Sequence, residues 1–143
     1  RTAKNGTLER ICKGIYLYPK THYDSSLVLF KVAAKIRTDH LNYVSLETAL
    51  SEYGTISQQL LGWITVMTTG RSGIIKCGRF GTVELIHTTK PREKVMPRLR
   101  LDARTGMWWA NEELALQDMR DAKRDVGLGY KRNEKTKSAL QNM

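Results

Sequence analysis

The sequence predicts an α+β fold: a short β-hairpin, then a domain whose mixed or antiparallel sheet is covered by helices near residues 25–37, 46–53 and 111–126. Three observations predict it. Apolar residues recur at helical spacing in those three windows. Short runs rich in β-branched and aromatic residues, each bounded by Gly-containing turns, fill the ground between them. Hydrophobic residues make up 41% and charged residues 27% of 143 residues, enough to bury one ordinary core.

The elements follow in order. Thr7 to Ile11 and Ile15 to Tyr18 suit two paired strands, with Lys13-Gly14 as a turn in which Gly tolerates positive φ. After a connector from Lys20 to Tyr23, Asp24 or Ser25 is placed to cap a helix. Leu27, Leu29, Phe30, Val32, Ala33, Ala34 and Ile36 form its broad apolar face, and Lys31, Lys35 and Arg37 its basic rim. Leu41 to Val44 is a short strand running into a second helix. Ser45 is expected as that helix's cap, Glu47 complements its N-terminus and Gly54 stops it. Trp63 to Thr69, Ile74 to Cys77 and Thr82 to Thr89 are three strands at the spacing of an antiparallel meander, separated by Gly70-Arg71-Ser72-Gly73 and Gly78-Arg79-Phe80-Gly81. Lys90 to Arg104 reads as a basic connector between Pro91 and Pro97, with Arg104-Thr105-Gly106 as a turn. Met107-Trp108-Trp109 leads to a last helix capped by Asn111, with Leu114, Ala115, Met119, Ala122 and Val126 as its inner stripe and Gly127 as its stop. Residues 131–143 read as a basic flexible tail.

The net charge is +10, and it comes in blocks. Residues 1–37 carry eight Lys/Arg against two acids, and residues 70–110 carry nine against three. Residues 38–69 hold three acids and no Lys or Arg. Segregated positive charge points to a polyanion-facing surface. No apolar run approaches the roughly 20 residues of a membrane span. Two cysteines, Cys12 and Cys77, form no disulfide framework or metal-ligand spacing, so a reducing cytoplasm is expected.

The opening segment Gly6-Thr7-Leu8-Glu9-Arg10-Ile11-Cys12-Lys13-Gly14-Ile15-Tyr16 reads as the wing of a winged helix whose helices would lie upstream, so a truncated first module is expected over residues 1–19 and an α+β domain over 20–130. Downstream come Tyr43-Val44-Ser45-Leu46-Glu47-Thr48-Ala49-Leu50, the Val83-Glu84-Leu85-Ile86-His87-Thr88 strand, and Ala110-Asn111-Glu112-Glu113-Leu114-Ala115-Leu116-Gln117-Asp118. In that order, over about residues 4–126, these elements resemble the AbiEi-type antitoxins of type IV toxin–antitoxin systems. The resemblance implies a winged helix that binds double-stranded DNA in its own promoter and represses the operon. It also implies a C-terminal domain that assists binding and opposes a nucleotidyltransferase-like toxin.

Candidate DNA contacts are Lys4, Arg10 and Lys13 in and behind the wing, where Arg suits a narrow minor groove and Lys a phosphate. Arg71, Lys76 and Arg79 stand at or beside two turns, where they can project together. His22, His40 and His87 lack partners at helical or strand spacing, so neither a metal site nor a cofactor is expected. Glu84, with Asp39 or Glu47, invites a small metal-dependent nuclease as one alternative, although Ile86 stands where such an enzyme usually places Lys. With no nucleophile motif and no phosphate-cradling loop, a non-enzymatic protein is expected. The other alternative is a winged-helix regulator of plasmid or phage genes without a toxin partner. Of Trp63, Trp108 and Trp109, one of the adjacent pair is expected at the surface, as neighbours in a strand face opposite ways.

Overall fold

The computed structural model describes residues 9–12, 14–17, 27–56 and 62–123. The hairpin is formed as expected by β1 (Glu9–Cys12) and β2 (Ile15–Leu17), paired antiparallel, with Gly14 at φ +82°. Arg10 and Tyr16 are a cross-strand pair and both are exposed, whereas Ile11 between Arg10 and Cys12 turns inward and is buried.

Helix α1 (Val28–Lys35) buries Val28, Leu29, Phe30, Val32 and Ala33 and exposes Lys31, Ala34 and Lys35. It is shorter than the sequence pattern suggests: Ile36 is extended and Arg37 turns with φ +53°. The Asp24 and Ser25 cap positions lie outside the described residues. Strand β3 (Asn42–Val44), helix α2 (Leu46–Glu52) and strand β4 (Trp63–Thr68) follow. Gly54 stops α2 as expected, with φ +77° and its N–H on the Ser51 carbonyl at 3.1 Å.

Strand β5 (Gly73–Lys76), a 3-10 turn (Gly78–Phe80) and β6 (Thr82–His87) come next, but the expected meander is not what forms. β6 pairs antiparallel with β5 and lies parallel to β4 along its whole length, from Trp63↔Thr82 to Thr68↔His87, so β5 becomes the sheet edge. Two glycines permit this. Gly62 and Gly81 pass so closely that a Cβ on Gly81 would sit 2.0 Å from the Gly62 carbonyl oxygen, and that oxygen accepts the Thr82 N–H at 2.8 Å.

The basic connector also holds more structure than its sequence promises. It contains α3 (Arg92–Val95), a 3-10 turn (Met96–Arg98) and β7 (Leu99–Asp102). β7 pairs antiparallel with β8 (Met107–Ala110), and α4 (Glu112–Asp121) follows, capped as expected by Asn111, whose side chain accepts the Leu114 N–H at 2.8 Å. Val126 and Gly127, like the 131–143 tail, lie outside the described residues.

The six strands run in the order β5-β6-β4-β3-β8-β7. A central antiparallel pair, β3 and β4, is flanked on each side by a parallel neighbour and then an antiparallel edge. Helices cover both faces. The Phe30 ring of α1 meets Trp109 at 5.5 Å, and Val44 and Val66 lie in register with Trp109 on that side. On the other side Tyr43 reaches α4 and Thr65 reaches α2. β4 is therefore covered on both faces, and Ile64 through Thr68 are all buried, as expected of a central strand. The fold is α+β with a mixed sheet.

Candidate nucleic-acid interface

The hairpin meets the sheet at the 3-10 turn that carries Arg79, on which β1 packs. Ile11 is buried in the common core, with Cys12 and Ile15 packed against it, so the outward Arg10 and Tyr16 are borne on a seated hairpin. Lys76, exposed at the end of β5, and Arg79, exposed in the turn, stand at this same end of the sheet. The Arg79 guanidinium lies 4.1 Å from the centroid of the buried Phe80 ring, which orients a planar donor group at the surface. Arg10, Lys76 and Arg79 thus occupy the hairpin and the sheet edge that adjoins it. Lys4 and Lys13 lie outside the described residues.

Arg71 stands apart from them, although its place beside a turn allows the three to project together. It precedes β5, so a four-residue strand, about 13 Å at ~3.3 Å per residue, separates it from the Lys76 end. There its carbonyl accepts from the Arg37 guanidinium. Two of the histidines are brought to the same corner, which their sequence positions do not suggest. His87 donates from Nδ1 to the Gly70 carbonyl at 2.7 Å, and the His40 ring lies where a Cβ on Gly70 would come within 2.9 Å. Among the described residues no group of three His, Cys, Asp or Glu side chains is placed to hold a metal ion.

The rest of the second basic block is partly turned inward. Arg98 donates to Gln117 at 2.8 Å, and Arg100 approaches Asp102 and the rings of Tyr53 and Trp109. Lys90 is the largest surprise. Its Nζ lies 2.8 Å from Asp118 Oδ1 and 2.6 Å from Asp121 Oδ2. Asp118 is fully buried, and its Oδ2 accepts from Ser45 Oγ at 2.7 Å and from Tyr43 Oη at 3.0 Å. Burial first, and then the Asp118 charge and hydrogen bond, push the Tyr43 hydroxyl far above its ordinary titration range. Burial alone would lower the Lys90 amine, but the two aspartates outweigh it and hold the amine above its ordinary value. Ser45 consequently does not cap α2: its hydroxyl is committed to Asp118, and the turn into the helix is made by Leu46 at φ +60°.

The helix motif that ends in Asp118 gives no sign that this carboxylate is buried, because acids on helices are usually solvated. Its signal is nevertheless present. Leu114, Ala115, Asp118 and Met119 share one helical stripe, and all four are buried. Chemically the cluster is a clamp between β3, the start of α2, the segment after β6, and α4.

The remaining sequence candidates separate. Glu84 accepts from the Trp63 indole at 3.0 Å, and Asp39 lies beside His40 at 3.8 Å. The surface tryptophan is Trp63, 38% exposed, rather than one of the adjacent pair: Trp109 is buried and Trp108 half-buried. Among the described residues no helix is long and apolar enough to cross a membrane. With models of protein families, with curated proteins and with solved structures, comparison of this chain found no significant match.

Proposed function

We propose that this chain is the C-terminal part, with the wing, of a DNA-binding antitoxin that represses its own operon and opposes a nucleotidyltransferase-like toxin. One observation carries the reading: an exposed Arg10 on a hairpin that is seated against the Arg79 turn, with Lys76 on the adjoining strand. A seated hairpin presents its basic group at a defined position, which is what phosphate or minor-groove contact requires. The order of sequence elements that resembles AbiEi-type antitoxins supports the toxin-opposing half. In the fold, the Ser45 and Asp118 motifs of that resemblance are bonded to each other.

The domain acts by docking rather than by catalysis: electrostatic attraction brings it to duplex DNA, and a winged helix upstream would read the bases. The test has two arms. Binding of the full-length protein to its own promoter duplex, followed by fluorescence anisotropy against a scrambled duplex, should be tight, specific and salt-dependent. Co-expression with the adjacent gene should restore growth that this gene alone arrests. Specific promoter binding without rescue leaves a regulator with no toxin partner; failure of both arms removes the proposal.

A further inference from the structure

The two cysteines of the chain, far apart in sequence, stand on elements that pack together where the hairpin joins the sheet. Cys12 ends β1 and Cys77 follows β5, leading into the 3-10 turn on which β1 packs. A register shift in β1 between Arg10 and Cys12 makes Ile11 the extra residue of a bulge, and both Ile11 and Cys12 turn to the core. Cys77 is fully buried and Cys12 half-buried against the same cluster. The Cys77 backbone is fixed on both sides, its N–H on the Gly81 carbonyl at 2.7 Å and its carbonyl on the Phe80 N–H at 3.1 Å, while its Sγ lies 3.8 Å from the Ile75 carbonyl. Burial, and after it the charge and hydrogen bond of Cys12, push the Cys77 thiol up to about 11.

We propose that Cys12 and Cys77 form a reversible disulfide that staples the basic hairpin onto the sheet, with a low-molecular-weight disulfide such as oxidised glutathione as the oxidant. Cys12 is the entry point because solvent reaches it, and Cys77 resolves. The Cys12 thiol gives up its proton, and its thiolate attacks one sulfur of oxidised glutathione, breaking that S–S bond and releasing one glutathione thiolate. Cys77 then attacks Cys12 Sγ as its proton passes to the departing glutathione thiolate, forming the protein disulfide and releasing the second glutathione as its thiol. Two protein thiols are oxidised and one glutathione disulfide is reduced to two thiols. The bond ties the strand bearing Arg10 to the turn bearing Arg79, so it fixes the hairpin whichever polyanion the hairpin meets.

The experiment incubates the 143-residue chain with graded ratios of oxidised to reduced glutathione, followed by intact mass, alkylation and tryptic mapping. The expected product is a monomer lighter by two hydrogens, with both thiols blocked and the Ile11–Lys13 peptide linked to the Cys77–Arg79 peptide. Dithiothreitol should reverse it, and hydrogen exchange of the β1 amides should slow in the oxidised form. Cys77→Ser should instead stop at a glutathione adduct on Cys12. Should that variant fail to fold, the wild-type product alone decides. Wild-type protein that accumulates the Cys12 adduct with Cys77 still free, or that crosslinks between chains, overturns the proposal.

Discussion

Ser45 Oγ donates to Asp118 Oδ2 across 2.7 Å, joining the start of α2 to a carboxylate buried on α4. Through Asp118 the same cluster reaches Tyr43 on β3 and Lys90 just beyond β6. Three other parts of the chain thus converge on one acid of α4.

Asp118→Ala should therefore unfold the domain at lower urea. The substitution leaves two hydroxyls and an ammonium without their shared acceptor. A broken buried ion pair costs roughly 3–5 kcal/mol, and the lower end is expected because the Lys90 side chain keeps 18% exposure. Lys90→Met should also destabilise, and the double variant should lose less than the sum of the two, because each single change strands a partner that the double change removes. Additive losses in urea denaturation would show that the cluster is not energetically coupled.

Alkaline pH should weaken the fold more steeply than surface groups alone explain. Tyr43 and Lys90 both bind their protons more tightly folded than unfolded, from ordinary values of 10.0 and 10.5. Their stabilising share is complete below those values. It is lost as pH rises, because the unfolded chain then releases protons that the folded one retains. The urea midpoint should fall from about pH 10 upward, and Tyr43→Phe should flatten that fall while costing about 1 kcal/mol at neutral pH for the missing hydrogen bond. An unchanged slope in Tyr43→Phe would mean that the hydroxyl is not shielded as the fold places it.

Gly81→Ala and Gly106→Ala should part company. Both positions have positive φ, +117° and +74°. Only at Gly81 would the added Cβ strike backbone, the Gly62 carbonyl at 2.0 Å; at Gly106 nothing lies within 4 Å. Gly106→Ala should cost ~1–2 kcal/mol of left-handed strain. Gly81→Ala should cost that and also force β6 away from β4, with a much lower thermal midpoint or no folded protein. Equal losses at both sites would refute the close approach as the condition for parallel pairing.

Local devices are the legible part of this fold. Asn111 acts on a backbone N–H three residues away and Gly54 through its own dihedral, so a cap and a stop can be read from the chain alone. The hairpin around Gly14 is local in the same sense. The parallel pairing of β4 with β6 is not, since the three-strand spacing fits a meander equally well and the decision rests on Gly62 meeting Gly81. Ser45 shows the same limit from the other side. A serine before a helix is a good cap, but a buried acid 73 residues away competes for its hydroxyl and wins. Block charge misleads for a related reason: Lys90 and Arg98 count as positive surface in a sum, yet both are spent on α4.

Polyanion binding should accordingly divide between the two ends of β5. Charge reversal at Arg10, Lys76 or Arg79 should weaken duplex binding and reduce the dependence of log K on log salt by about 1 for each phosphate that is no longer neutralised. Arg71→Glu should leave the slope nearly unchanged, because Arg71 stands at the far end of the strand with its backbone held by Arg37. Anisotropy titrations over a range of potassium chloride measure both quantities, with thermal midpoints showing that each variant is folded. If Arg71→Glu alone flattened the slope while the other three left it intact, the DNA path would run past the His40–His87 corner instead, and the hairpin would be a bystander.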